Sequence, residues 1–268
     1  LVGSEMCIRD SYCPIQRIIY KITKDAKGHD VVKKTRETAF PDFYDYDYYY
    51  FLSIEEAENQ GKHLCVAKAR RKGFSYKGGA MLCRNFFLIP NSKSYVYAAN
   101  KQYLTEDGIL TKAWDYMDFI DGNTAWGKKR QVSNTAMRRR ASMLVTDDYG
   151  NKVEIGYKSE IMGVSIKDNP DSVRGKAGKL ILWEEAGSNN QLEAAWQIAR
   201  PSVEQDGVAF GLMIMFGTGG DEGDNVAGLR NAFYDPKAFN CIEFDNIWDE
   251  GAQGGKPVSY THLRAHET

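Results

Sequence analysis

The sequence has no apolar run approaching the roughly 20 residues that a membrane-spanning helix needs, so we do not expect an integral membrane protein. Its five cysteines form no Cys-x-x-Cys pair and are odd in number. This argues against a disulfide framework or zinc ribbon and favours a reducing compartment. Neither sign of charge is in excess, because 35 Lys and Arg stand against 36 Asp and Glu. A nonspecific polycation is thereby excluded, although local basic clusters still permit a nucleic-acid partner.

The sequence also lacks an internal repeat and a low-complexity tract, and no linker divides residues 12–250. With 268 residues, it is long enough to bury about three-quarters of its unfolded surface. Aromatic residues make up 12% of it and the charges are of mixed sign, which argues against wholesale disorder. We therefore expect one large α/β domain or two small ones.

Both ends of the chain look foreign to the folded domain. Residues 1–11 (LVGSEMCIRDS) and 258–268 (VSYTHLRAHET) resemble translated sequencing adapter at the edges of assembled short-read contigs. The first segment has acidic residues and no apolar core of about 7–15 residues, so it does not look like a signal peptide. The alternative is that both are genuine termini. We expect artefactual tails, residues 251–257 as the start of a linker, and a natural protein that continues beyond residue 257.

Short apolar runs alternate with helical stretches along the middle of the chain. This alternation indicates an α/β fold, with a mostly parallel central sheet and helices on both faces. The turn-forming sequence DDYGN at residues 147–151 predicts a hairpin between its flanking strands. Strands are predicted at residues 63–69, 94–99, 143–146, 152–157, 180–183 and 208–216, and helices at 78–89, 101–120 and 190–200.

An aromatic and acidic run (FYDYDYYYF) occupies residues 43–51 and precedes a polar helical stretch. Ser53 and Glu56 have the spacing of a capping box, so we place the start of that helix at Ser53. The run is interpreted as a packing layer under the helix. The alternative is a surface for a base or a partner chain.

The first candidate site is a basic, glycine-containing turn between a strand and a helix. Free N–H groups at a helix N-terminus, together with the helix dipole, form an anion site. A glycine lets the backbone approach phosphate closely, and a following serine hydroxyl can ligate Mg²⁺. The lysine of the usual GKS or GKT sequence is missing, so a basic turn without nucleotide is the alternative. The candidate residues are Lys68, Ala69, Arg70, Arg71, Lys72, Gly73, Phe74 and Ser75.

The second candidate is a pair of acids at the carboxyl end of the apolar strand 180–183, where open α/β sheets bind ligands. In this arrangement Glu184 would hold hydrated Mg²⁺, and Glu185 would polarise a water toward the γ-phosphate of a nucleotide. A solvated strand end is the alternative interpretation.

Two further residues are weaker candidates. Thr218 follows an apolar strand and precedes glycines, where it could sense the γ-phosphate or transmit its loss. Arg174 lies eleven residues before Glu185 and could stabilise the charge that develops during phosphoryl transfer, in its own subunit or in a neighbour's. The alternative for Thr218 is a simple strand-to-turn junction, and the alternative for Arg174 is a surface arginine.

Taken together, these elements resemble the ATPase domain of the large terminase subunit, the DNA-packaging motor of tailed phages. The family's variant Walker A loop carries its lysine first, as in residues 68–75 (KARRKGFS), so the resemblance implies that Lys68 replaces the missing lysine and that Arg70 and Arg71 flank the triphosphate. The likeness spans roughly residues 40–250. Two departures are Glu184, where most nucleoside triphosphatases have aspartate, and Phe74, which stands at the usual lysine position.

The resemblance implies a three-layer, additional-strand P-loop fold over residues 12–250, with ATP and Mg²⁺ as cofactors. It makes Arg174 a candidate finger acting on an adjacent subunit's ATP. The implied partners are double-stranded DNA, a homo-oligomeric ring, a portal protein and a small terminase subunit. The implied place of action is the host cytoplasm, docked on a procapsid portal. The family's C-terminal nuclease domain is not expected here, and Asp221, Glu222 and Asp224 are interpreted as a polar loop.

The expected function is an ATP-hydrolysing motor that moves double-stranded DNA into a procapsid. One rival is another P-loop translocase of the helicase-like kind. A second is a noncatalytic DNA-binding or capsid-assembly protein. Lys128–Arg130 and Arg138–Arg140 are candidates for gripping backbone phosphate, with solvated loop charge as the favoured alternative.

Overall fold

A computed structural model describes residues 15–218, 224–246 and 256–261 of the chain. The helices that it describes are α1 Asp45–Asn59, α2 Phe74–Leu88, α3 Gln102–Thr105, α4 Ile109–Asn123, α5 Leu192–Ala199 and α6 Asp224–Tyr234. The strands are β1 Ile15–Lys24, β2 Asp30–Ala39, β3 Leu64–Ala67, β4 Lys93–Ala98, β5 Ser133–Asn134, β6 Arg138–Arg140, β7 Met143–Thr146, β8 Lys152–Ile155, β9 Glu160–Ser165, β10 Leu180–Trp183, β11 Glu204–Gln205, β12 Val208–Ala209, β13 Leu212–Gly217 and β14 Tyr260–Thr261. No helix in these ranges is both long and apolar enough to cross a membrane.

A mostly parallel sheet of eight described strands organises the domain, in the order β14-β3-β13-β10-β4-β9-β6-β5. The pairs from β14 through β9 are parallel, and β6 and β5 add antiparallel strands at one edge. Strand β13 lies between β3 and β10, so an additional strand separates the first candidate turn from the acidic pair. The α/β, additional-strand fold expected from the sequence is confirmed.

The sheet is covered on both faces, because successive side chains of a strand point to opposite sides. Along β10, Leu180 and Leu182 join one apolar cluster with α1, α2 and α4. Ile181 and Trp183 join a second cluster with α5 and α6. All four side chains are buried, which explains why this strand has a continuous apolar sequence. The molecule thus has three layers, with the sheet in the middle.

The helix of the aromatic run differs from its prediction. It begins at Asp45, and the backbone N–H of Tyr44 donates to the Asp47 carboxylate at 2.9 Å. Ser53 is in the helix interior, where its hydroxyl donates to the Tyr49 carbonyl at 2.7 Å. The predicted capping box at Ser53 is therefore wrong, and the tyrosines form the helix itself rather than a layer beneath it. Tyr50 is fully buried, whereas Tyr48 on the same helix is exposed.

Other boundaries shift for local reasons. The predicted helix 101–120 is broken into α3 and α4 by residues 106–108. The predicted strand 208–216 separates into β12, which pairs with β11, and the sheet strand β13. The β7–β8 hairpin forms around the turn 147–151 as predicted, with its second strand ending at Ile155. The antiparallel β1–β2 hairpin was not predicted.

Some predictions fall on residues outside the described ranges. The proposed tail 1–11, Asp221 and Glu222 lie there, as do most of the linker 251–257 and residues 262–268. Asp224, which was assigned to the same polar loop, is instead the first residue of α6. Residues 260 and 261 do lie within the structure, paired in parallel with Val66 and Ala67 of β3. The artefactual origin of the tails stays a prediction.

Candidate nucleotide-binding site

Three parallel strands end at one edge of the sheet and bring the sequence candidates together. Gly217 at the end of β13 is in register with Ala67 at the end of β3, and Trp183 at the end of β10 is in register with Met215. The backbone N–H of Lys68 donates to the Gly217 carbonyl at 3.0 Å. The basic turn, the acidic pair and Thr218 therefore start from adjacent strand ends, as expected for a ligand site of an open α/β sheet.

The basic turn enters its helix through two residues with left-handed backbone. Gly73 precedes α2 with φ of 72°, in the left-handed region that glycine enters without a Cβ penalty. A Cβ added at Gly73 would meet no atom within 4 Å, so the space beside it is open. Arg71 also has a positive φ, of 63°. The turn thus presents the N-terminus of a 15-residue helix to the cavity, where a negatively charged group is favoured.

Ser75 and Glu184 are in direct contact across the strand edge. The Ser75 hydroxyl donates to Glu184 Oε1 at 2.6 Å. Burial, opposed by the Ser75 hydrogen bond and reinforced by the neighbouring Glu185, raises the pKa of the Glu184 carboxyl to about 7. The sequence placed both residues at a magnesium site, and the structure brings them within hydrogen-bonding distance.

Lys68 and Glu185 form the second contact between the two motifs. The Lys68 ammonium lies 3.0 Å from Glu185 Oε1, with 7% of the lysine side chain and 29% of the glutamate side chain exposed. Glu185 has φ of 46°, and such strained backbone concentrates at functional sites. A partly solvated carboxylate is therefore held beside the first residue of the loop, where it can reach a ligand.

A cavity of about 410 Å³ lies between these motifs. Seven of its lining residues were predicted from the sequence: Lys68, Arg70, Arg71, Ser75, Glu184, Glu185 and Thr218. The remaining wall was missed. It comes from the segment after β4 and from the 3-10 helix Ala186–Ser188, and comprises Tyr103, Glu106, Asp107, Gly108 and Ser188. Because β4 is parallel to β10, the position of its carboxyl end could have indicated this wall.

Four predicted loop residues, Ala69, Lys72, Gly73 and Phe74, do not line the cavity. Phe74 is buried in the core, with its ring centroid 5.0 Å from that of Tyr50 and 6.1 Å from that of Phe216. Its side chain is thus directed into the core rather than into the cavity. Lys72 places its ammonium 5.1 Å from the Tyr46 ring centroid. Ala69 is exposed and does not line the cavity.

Arg174 is not among the residues that line the cavity. It follows a short 3-10 helix at 170–173, and 70% of its side chain is exposed. Its guanidinium Nε donates to the Asp171 carboxylate at 3.0 Å. Within one subunit, this arginine is on the surface and paired with a neighbouring acid.

Carboxylates pair with the arginines of both basic clusters. Arg138 pairs with Glu160 at 3.0 Å and Arg139 with Asp118 at 3.0 Å. Arg140 pairs with Glu160 at 2.8 Å. This compensation makes Arg138–Arg140 a weak candidate for gripping DNA. In the other cluster, Arg130 pairs with Asp121, and the Lys128 ammonium lies 4.2 Å from the Tyr157 ring centroid.

The donor set suits hydrated Mg²⁺. Glu184 Oε2 is buried and has no hydrogen-bond partner among the described residues, and a buried acceptor of this kind is costly unless it is satisfied. Mg²⁺ in nucleotide sites keeps several waters and uses one or two carboxylates together with phosphate oxygens. A metal-bound water would supply the missing partner for Oε2. Ser75 and Glu184 would hold the ion.

Substituting Glu184 with glutamine is expected to stabilise the metal-free protein at high pH. A carboxyl with a raised folded-state pKa ionises more easily in the unfolded chain, so stability is lost as pH rises from the ordinary value toward about 7. The gain in free energy of unfolding should be small at pH 5 and reach about 3 kcal/mol at pH 8. Urea denaturation in EDTA would measure it. A gain in the free energy of unfolding that stayed constant from pH 5 to pH 8 would contradict a raised pKa for the buried Glu184 carboxyl.

Comparisons with known proteins support the fold. No family model matches the sequence, and no curated protein matches it either. Among solved structures, the large terminase ATPase domain of Thermus phage P74-26 aligns with a TM-score of 0.54 and 15% identity, over 82% of this chain and 78% of its own. A mutant of that domain aligns with a TM-score of 0.53 and 14% identity over the same shares.

The large terminase of bacteriophage HK97 aligns less closely, with a TM-score of 0.48 and 12% identity over 80% of this chain and 37% of its own. At the identities of the Thermus phage domains, the likeness is one of fold. The chain therefore has the fold of a phage large terminase ATPase domain.

Proposed function

We propose that this chain is the ATP-hydrolysing motor domain of a viral large terminase, which moves double-stranded DNA into a procapsid. The observation that carries the proposal is the pair of contacts across one cavity, from Ser75 to Glu184 and from Lys68 to Glu185. They join a phosphate-binding turn to an acidic pair 109 and 117 residues away in sequence. This is the minimal constellation for positioning a nucleotide and a water.

In this proposal the triphosphate lies along the turn from Lys68 to Ser75. The helix N-terminus and Lys68 bind its oxygens, and Arg70 and Arg71 flank it. Lys68 is already held at the cavity by Glu185, so nucleotide binding exchanges one anionic partner for another. Magnesium, when bound, neutralises charge on the phosphate oxygens, and Ser75 and Glu184 orient it.

Glu185 is proposed to orient and deprotonate the attacking water. Its carboxylate is partly exposed and lines the cavity, whereas Glu184 is almost fully buried and in contact with Ser75. The two acids therefore have different environments and can take different roles. Thr218 lines the same cavity from the end of β13 and is proposed to sense the γ-phosphate and relay its loss to the DNA-contacting surface.

Arg174 is proposed to act on the nucleotide of an adjacent subunit in a ring. Its exposure and its absence from the lining of its own cavity favour action on a neighbour. An arginine supplied in trans can accelerate phosphoryl transfer by a factor on the order of 10³–10⁵. A portal protein and a small terminase subunit are the proposed partners, and the procapsid portal in the host cytoplasm is the proposed place of action.

The proposed function predicts Mg²⁺-dependent ATP turnover whose rate per subunit rises with protein concentration, because a ring supplies the missing arginine. Phosphate release, measured over a concentration series with and without double-stranded DNA, would test this. Nucleotide binding without turnover at every concentration would favour the noncatalytic rival. Separation of DNA strands by the protein alone would favour the helicase-like rival.

A further inference from the structure

A buried lysine lies directly behind the phosphate-binding turn. Lys77 is in the first turns of α2, and only 11% of its side chain is exposed. Its ammonium is 4.1 Å from the ring centroid of Phe74, 4.8 Å from that of Tyr46 and 5.6 Å from that of Tyr50. It forms an ion pair with Asp47 of α1. Its burial is not evident from the sequence, because a lysine on a helix usually faces solvent.

The Lys77 ammonium also donates to the backbone carbonyl of Lys72 at 3.1 Å. That carbonyl belongs to the peptide between Lys72 and Gly73, and no described peptide bond is cis. The C=O and N–H of a trans peptide point in opposite directions. Holding the carbonyl toward Lys77 therefore turns the Gly73 N–H away from it. Arg71 and Ser75, on either side of this peptide, line the cavity, whereas Lys72, Gly73 and Lys77 do not.

Burying this ammonium is unfavourable on its own. Loss of hydration lowers the pKa of Lys77, and the Asp47 carboxylate opposes that shift. An apolar side chain of similar length would fill the aromatic surroundings without that penalty. What methionine would not supply is the hydrogen bond to the Lys72 carbonyl, so this contact distinguishes a positioning role from simple packing.

We propose that Lys77 is a positioning residue of the nucleotide site, which anchors the phosphate-binding turn to α1 through Asp47 and aims the Gly73 N–H at bound phosphate. The inference rests on the proposed nucleotide site. Lys77 does not line the cavity, so it acts through the peptide that it holds rather than by touching the nucleotide. Through Asp47, this contact gives α1, the helix of the aromatic run, a role in forming the site.

Lys77→Met should weaken binding of inorganic pyrophosphate with Mg²⁺ by roughly tenfold or more, since a charge-assisted hydrogen bond that orders the turn is lost. Binding of adenosine, which has no phosphate, should be unchanged. Both affinities can be measured by competition with a fluorescent ADP on the full chain. Lys62→Met is the matched control, because Lys62 is a half-buried lysine that pairs with Glu243 away from the cavity.

In Lys77→Met alone, the Asp47 carboxylate loses its cationic partner. The double variant Asp47→Asn, Lys77→Met removes both charges, so it tests the loss of the hydrogen bond without an unpaired carboxylate. The same selective loss of pyrophosphate affinity is expected. Normal pyrophosphate affinity in the double variant, or an equal loss for adenosine, would overturn the positioning role. A wild-type chain that bound neither MgATP nor pyrophosphate would instead refute the nucleotide site itself, and this inference with it.

Discussion

Glu185→Gln is expected to lower the rate of ATP hydrolysis at least about 100-fold, because a positioned general base contributes on the order of 10²–10⁴. Glutamine keeps the size and polarity of the side chain but does not accept a proton from water. The Kd for MgATP should change little, since the turn, Ser75 and Glu184 are intact. Single-turnover hydrolysis and fluorescent-nucleotide binding would measure the two quantities separately.

Glu56→Gln provides a matched control for this variant. Glu56 is an exposed glutamate of α1 whose carboxylate accepts a hydrogen bond from Gln60, and it does not line the cavity. Its substitution should leave both hydrolysis and binding as in the wild type. Unchanged turnover in Glu185→Gln would show that the water is activated by another group. A parallel loss of nucleotide binding would show that Glu185 holds the ligand rather than the water.

Mixing two inactive variants tests the proposed ring. Lys68→Ala removes the cation beside the phosphates, and Arg174→Ala removes the exposed arginine, so each variant alone should lose turnover by a factor on the order of 100 or more. In a mixed ring, an Arg174→Ala subunit still binds ATP and receives an intact arginine from a Lys68→Ala neighbour. We therefore expect partial recovery of hydrolysis, with a maximum at intermediate mixing ratios.

Asp171→Asn is a useful companion in the mixing experiment. It weakens the pairing that occupies the Arg174 guanidinium within its own subunit while leaving the arginine in place. Activity at or above the wild-type level is expected, because the freed side chain remains available to a neighbour. Absence of recovery at any ratio of the Lys68 and Arg174 variants would contradict action across subunits.

The buried centre of the fold was the most predictable part. Residues 180–183 could be assigned to a strand because a parallel strand covered on both faces has a continuous apolar sequence. Glu184 and Glu185 follow this strand. Because open α/β sheets bind ligands at the carboxyl ends of their strands, the two acids could be placed at the edge of the sheet where the cavity lies. The β1–β2 hairpin has no such signal, since Tyr20 and Ile22 are exposed on it among lysines.

The site was predicted where function requires unusual residues and missed where it uses ordinary ones. The turn with Lys68 and Ser75 and the acids Glu184 and Glu185 were predicted because each follows an apolar strand, and all four residues line the cavity. The wall at residues 103–108 comes from a break in a helix whose apolar spacing continues across it. There Gly108 packs so closely that a Cβ would come within 2.1 Å of the Tyr103 carbonyl oxygen. The inward direction of the Phe74 side chain is set by its packing against Tyr50 and Phe216. These contacts are distant in sequence, so the local sequence does not reveal them.

A crystal structure of the chain with Mg²⁺ and a nonhydrolysable ATP analogue would test the central claim most directly. We predict the triphosphate on the turn between Lys68 and Ser75, the metal ion on the Ser75 hydroxyl with Glu184 beside it, and Glu185 facing the γ-phosphate. A nucleotide bound elsewhere, with the contacts of Lys68 to Glu185 and of Ser75 to Glu184 undisturbed, would contradict it.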